Sequence, residues 1–194
     1  MIYDLHVCDT AVCLKDAQTL VICGRFSSLK KRGWVTSISQ AARVHVDHIL
    51  GTLKVGDNGA SGTSYVPEDE QTIYVIAMPD QASRHNHPMH PNAMTACLRT
   101  TNSGEKRSVL MVLDRAGDDL VCTNAMARSL PAFSRKTGAS DRQETVRLGF
   151  LGEAISAERL EVLQIAAEEV RYAARLVDMP TAELHTESFA ELAR

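Results

Sequence analysis

Apolar residues along this chain change their spacing several times, and each change marks an element. Four short runs are apolar or β-branched and stop at polar or turn-forming residues, as strands do: 19–23 (TLVIC), 72–78 (TIYVIAM), 108–113 (SVLMVL) and 145–151 (TVRLGFL). The second and third are almost continuously apolar, which predicts central strands covered on both faces. In the fourth, Val146, Leu148 and Phe150 alternate with Thr145, Arg147 and Gly149, which predicts a strand nearer an edge.

Helical spacing fills the intervals. Over 36–53, Ile38, Ala41, Ala42, Val44, His45, Ile49 and Leu53 form a moderately amphipathic pattern. Helices over 92–100 and 118–130 follow, the second opened by Asp118 and Asp119, whose charge suits the positive end of a helix dipole. The longest helix, 156–178, carries Leu160, Leu163, Ala167, Val170, Ala174 and Val177 at alternating spacings of three and four, one apolar stripe along its length. Ser156 supplies its N-cap, Glu158 sits in its first turn, and Pro180 stops it by disfavouring helical geometry at Met179. The segment 55–67 (VGDNGASGTSYVP), with three glycines among small polar residues, reads as a mobile loop. Strands alternating with helices predict an α/β fold with a mixed, largely parallel sheet flanked by helices.

Composition narrows the picture. A chain of 194 residues, 44% hydrophobic and 23% charged, is long enough for one core and one domain, and 179–185 is the one plausible boundary. A net charge of −3 gives no field that favours nucleic acid or an anionic membrane, and the basic run Lys30-Lys31-Arg32 is too short to change that. Five cysteines (Cys8, Cys13, Cys23, Cys97, Cys122) make no CxxC pair, so a reducing compartment is the simplest reading. The start, MIYDLHVCDT, lacks the cationic and apolar pattern of a secretory signal, and no apolar run reaches the ~20 residues of a membrane helix. These features together predict a cytoplasmic protein.

Candidate chemistry is sparse. His85, His87 and His90 lie close enough in sequence to suggest Zn²⁺, but a strand-to-helix loop held open by Pro88 and Pro91 is preferred, because a metal site needs further ligands. Cys8 with His6, or Cys97 with the histidine loop, would be a Cys–His pair on paper. Neither has a nucleophile motif, and Cys97 falls in a helical pattern that predicts a buried thiol. The segment 56–59 (GDNG) is neither a dinucleotide fingerprint nor a phosphate loop. Asp118/Asp119 read as a helix start, Glu168/Glu169 as a solvated face, and 137–140 (TGAS) as a turn. On the residues alone no catalytic, cofactor-binding or metal-binding residue is assigned.

The tail adds a resemblance. The run 170–181 (VRYAARLVDMPT) followed by 184–189 (LHTESF) resembles the junction in leucyl aminopeptidases, where a long helix meets Asn-x-Pro and a capped helix opens the catalytic domain. Asp178 and Ala182 depart from the asparagines common there. The stretches 83–86 (SRHN), 130–133 (LPAF) and 138–140 (GAS) are similar to the animal "probable aminopeptidase" branch of that family. The resemblance implies a macro-domain-like α/β N-terminal domain over 1–178, non-catalytic, with 179–194 as a linker and the first helix of a C-terminal catalytic domain, Thr186 being its N-cap. It implies two divalent metal ions, Zn or Mn, in that catalytic domain and none here, since the family's metal-ligand segment is missing from this sequence. It further implies assembly into homo-oligomers, hexamers in the intact enzyme, with a role in active-site access. The alternative is a stand-alone macro-domain-like module that binds ADP-ribose or a related nucleotide through loops 56–62 and 137–140.

Overall fold

The computed structural model describes residues 2–31, 33–101, 106–133 and 143–192. In chain order the elements are β1 (Ile2–Val7), α1 (Thr10–Leu14), β2 (Thr19–Arg25), α2 (Phe26–Lys30), α3 (Gln40–Thr52), β3 (Ala60–Val66), β4 (Gln71–Met78), α4 (Pro91–Arg99), β5 (Lys106–Val112), α5 (Asp118–Ser129), β6 (Gln143–Leu151), α6 (Ala157–Asp178) and α7 (Thr186–Leu192). The six strands form one sheet in the order β1-β6-β5-β2-β4-β3, with β3 antiparallel to β4 and every other pairing parallel. The mixed α/β architecture with a largely parallel sheet is therefore as the hydrophobic pattern predicts.

The sheet separates two cores, and period-two alternation sorts the strand residues between them. Val21 and Cys23 of β2, with Ile76, Met78, Val109, Met111, Val146 and Leu148, face α4, α5 and α6. Leu20 and Ile22, with Ile73, Val75, Leu110 and Val112, face Cys13, Leu29, Trp34, Ala42, Val46 and Ile49 on the other side. Both faces are thus buried, which is why the inner strands read as unbroken apolar runs. Each fully buried Leu, Ile, Val or Met contributes about 1.5–3 kcal/mol.

Several expectations need correction. The segment predicted as a mobile loop holds strand β3, whose low apolar content has a local cause: Gly62 lies so close to α3 that an added Cβ would meet Ile49 Cγ2 at 2.5 Å. Strand β6 lies nearer an edge than β5 or β2, in line with its alternation, but the edge itself is β1, which the sequence reading missed. On α3 the buried face is Ala42, Val46, Ile49 and Leu50, whereas Val44 is exposed. The stripe on α6 is buried at Leu163, Ala167 and Ala174 but leaves the body at Val177, which is 76% exposed. Thr186 is the first residue of α7 rather than its cap. His185 makes the capping contacts, its Nδ1 accepting from Ser188 N at 3.4 Å while Ser188 Oγ accepts from His185 N at 2.9 Å.

Helix α6 also treats the outer edge of the sheet. Gln164 accepts from Val7 N at 2.7 Å and donates to Leu5 O at 3.0 Å, and Arg171 donates to Tyr3 O at 2.9 Å. These side chains occupy the bonding groups of β1 that a seventh strand would otherwise take. Among the described residues no helix is long and apolar enough to cross a membrane.

Candidate functional site

The histidine loop leaves the carboxyl end of β4 and returns as α4, the edge of an α/β sheet where ligands commonly sit. Two tight turns shape it, with Asn86 N donating to Ser83 O at 3.0 Å and His90 N to His87 O at 2.9 Å. Met89, fully buried, plugs the loop into the core beside Met94 and Leu98. His90 takes a left-handed conformation (φ 48) immediately before Pro91, which opens α4 at the position where a missing N–H costs nothing. The histidines line a polar cleft of about 370 Å³ that is completed by Asp57, Asn58, Asn86 and Asn92.

The three imidazoles do not converge on one point. His87 Nδ1 accepts from Met89 N at 3.2 Å, and its Nε2 faces Asp118 Oδ1 at 3.7 Å, outside hydrogen-bonding range. His90 Nε2 is buried with no hydrogen-bond partner among the described residues. Among the described residues no group of three or more His, Cys, Asp or Glu is arranged to hold a metal ion. The described donor set therefore does not fit a two-metal pair of the kind the resemblance implies for a catalytic domain.

The other sequence candidates are dispersed. His6 Nε2 lies 2.9 Å from Asp4 Oδ2, both exposed, so the imidazole is turned to its neighbour on β1. Cys97 is half-buried rather than buried, and its thiol donates to Asn58 O at 3.7 Å. Burial still pushes its pKa up. Asp118 and Asp119 do open α5, but both are buried. Asp119 takes a two-point contact from Arg159, 2.8 Å from Nε and 2.9 Å from Nη2, and that bond, acting against burial, holds its carboxyl below the usual range.

A second cleft, of about 380 Å³, lies past the carboxyl ends of β5 and β6 and includes Ser28, Trp34 and Asp114. Strands β2 and β5 are neighbours whose following helices pack on opposite faces, the arrangement that opens a crevice in such sheets. Its carboxylate is already engaged, because Asp114 accepts from Arg25 Nη1 at 2.9 Å and from the Ser28 hydroxyl. Of the two loops proposed for ADP-ribose, 56–62 is a turn over 56–59 followed by the first residues of β3. Its Gly59 has φ 79, and an added Cβ there would meet Met78 Cε at 2.5 Å. The other, 137–140, lies outside the described residues, as do Ser134, Arg135 and Lys136.

The fold defines a mixed α/β domain built on a six-stranded, largely parallel sheet. Residues 18–139 match the family model "M17 aminopeptidase N-terminal domain 2", and the chain belongs to that family. It is 36% identical over 138 residues to the mouse "Probable aminopeptidase NPEPL1", an alignment that covers 64% of this chain and 26% of the mouse protein. It is 27% identical over 181 residues to "Leucine aminopeptidase 1" of Caenorhabditis elegans, covering 89% of this chain and 35% of that one. Among solved structures, leucyl aminopeptidase from Leishmania major superposes with a TM-score of 0.78 at 21% identity, over 97% of this chain and 38% of the other. Leucine aminopeptidase from C. elegans gives 0.74 at 25% identity, over 98% and 39%. The chain thus spans between a quarter and two fifths of the length of these relatives. The ADP-ribose alternative finds no support among them.

Proposed function

We propose that this chain is the non-catalytic N-terminal domain of a metal-dependent aminopeptidase that removes N-terminal amino acids from peptides, serving assembly and access to the active site. Residues 1–178 are the domain, and 179–194 are the linker and first helix of a catalytic domain carried by a longer polypeptide. The observation that carries this reading is the family match over 18–139. The surface at the end of α6 supports it: Val177 is 76% exposed, Phe189 and Leu192 are half exposed, and α7 buries none of its described residues. Two divalent ions, Zn or Mn, belong in this reading to the catalytic domain, where they activate water against the scissile carbonyl. The intact enzyme is a cytoplasmic homo-oligomer, a hexamer by family resemblance.

Two measurements test the reading. The purified chain should not hydrolyse leucine amides with Zn²⁺ or Mn²⁺ added, and metal-dependent turnover would overturn it. In an extract of the source cells, the polypeptide beginning MIYDLHVCDT should have a mass far above 21.2 kDa. A mass near 21.2 kDa would refute the longer enzyme.

A further inference from the structure

Helix α1 is five residues long, and the two cysteines around its start are brought together by its cap. Asp9 is the N-cap, accepting from Ala11 N at 2.9 Å and Val12 N at 3.0 Å. Cys8 therefore stands immediately before the cap and Cys13 at the fourth helical position, the two places whose side chains pack against each other at a helix start. In this chain the residues at those two places are cysteines: Cys8 packs against the apolar cluster that buries Cys13, and the Cys13 thiol donates to Val109 O at 3.5 Å.

The surroundings fix both partners. Cys8 N donates to Leu148 O at 2.9 Å, and Thr10 Oγ1 to Phe150 O at 2.7 Å, tying both sides of the cap to β6. The Cys13 side chain packs directly on Gly149 of that strand, where an added Cβ would lie 3.1 Å from its sulfur. Cys13 is wholly buried, whereas Cys8 is half-buried and lines a cleft of about 230 Å³ with Asp9, Phe150 and Glu153. One sulfur of the pair is thus open to a small molecule and the other is screened behind it.

We infer that Cys8 and Cys13 form a reversible redox site, in which Cys8 is oxidised by a hydroperoxide and Cys13 resolves it as an intramolecular disulfide. The Cys8 thiolate attacks the peroxide oxygen, an S–O bond forms as the O–O bond breaks, and the departing oxygen leaves as an alcohol or water after taking a proton. Cys13 then gives up its proton, the S–S bond replaces the S–O bond, and hydroxide leaves with that proton as water. Two thiols lose two electrons and two protons, and one hydroperoxide is reduced. The electrostatics agree in direction: the neighbouring Cys13 is the largest influence on Cys8 and, with Arg147, lowers its pKa against burial and Asp9. Cys8 and burial push the Cys13 thiol up, so Cys8 rather than Cys13 is the thiol that meets the peroxide.

The test uses the reduced protein, exposed under native conditions to a few equivalents of hydrogen peroxide, then denatured and alkylated. Of the five cysteines, three should be alkylated, and the tryptic peptide 1–15, which holds both Cys8 and Cys13, should be unmodified and lighter by two hydrogens. Dithiothreitol should restore both sites. Cys13→Ser should leave a sulfenic acid at Cys8 that dimedone traps, about tenfold faster than at Cys97, which lacks a thiol partner of this kind. A disulfide between another pair, or oxidation of Cys97 ahead of Cys8, overturns the inference. So does full alkylation of peptide 1–15 at peroxide doses that already oxidise Cys97.

Discussion

Replacing Gln164 by Leu tests how the free edge of the sheet is sealed. The side chain keeps nearly the same volume but loses the carbonyl that accepts from Val7 N at 2.7 Å and the amide that donates to Leu5 O at 3.0 Å. Each such bond contributes about 1 kcal/mol net, and an unpaired backbone group costs about 1–3 kcal/mol where water cannot reach it. Both contacts are only part-buried, so the lower end applies and the expected loss is about 2 kcal/mol. For a domain of this size that lowers the melting temperature by about 4–8 °C. Thermal unfolding followed by circular dichroism measures it, and hydrogen exchange at the Val7 amide, slow in the parent and fast in the variant, locates it. A second variant separates hydrogen bonding from packing. Gln164→Glu retains the acceptor for Val7 N but sets a carboxylate against Leu5 O and Glu168, which raises its folded pKa, so its deficit relative to the parent should shrink as pH falls toward the ordinary glutamate value of ~4.3 and be least below it. A Gln164→Leu protein that melts within roughly 1 °C of the parent, with Val7 exchange unchanged, refutes the edge-sealing argument.

Asp119→Asn removes the charge that Arg159 grips, and after allowance for the exposure of Arg159 it should cost about 1 kcal/mol at neutral pH. Because the folded pKa of Asp119 is depressed, the difference between parent and variant is fully present above ~3.9 and disappears as pH falls through the folded value, which urea titrations at several pH values read directly. Gly62→Ala forces a Cβ within 2.5 Å of Ile49 Cγ2 and should cost about 1–3 kcal/mol. Combined with Ile49→Ala, which opens the space, it should cost less than the sum of the single changes, and simple additivity in a denaturant double-mutant cycle counts against close packing of β3 on α3.

How far the fold could be read from the residues depended on where each strand lies. Strands β2, β4 and β5 are walled by both cores, so each is an apolar run that no other element imitates. Strand β1 sits at the edge, and its Tyr3, Leu5 and Val7 alternate with the charged or polar Asp4 and His6, a weak signal beside a chain terminus. Strand β3 is weaker still, since its exposed face carries Ser61, Thr63 and Tyr65 and its inner face needs a glycine. The histidine loop was visible as a cluster, but that Asn58 would close the cleft and Met89 would anchor it depended on contacts distant in sequence. The Cys8/Cys13 pair was legible in principle, as an aspartate cap with cysteines at the two stapling positions. A five-residue helix shows no periodicity to draw attention to it.

Helix α6 adds to the usual buried stripe of a surface helix a set of inward polar and outward apolar side chains. Its polar Arg159, Gln164 and Arg171 turn inward to Asp119 and the β1 edge, because a strand edge needs donors and acceptors that apolar side chains cannot supply. Apolar residues stand outward instead: Val162, Ile165 and Tyr172 are about half exposed, and Val177 lies beyond the last buried position, Ala174. Neither the edge nor the core explains those outward residues, since the edge is satisfied by the polar set and the core by Leu163, Ala167 and Ala174. Exposed apolar side chains at several points along a helix that leads toward α7 are what a domain covered in part by further protein would present. That is the condition the proposed aminopeptidase assembly supplies, and it gives the outward residues a role the isolated domain does not.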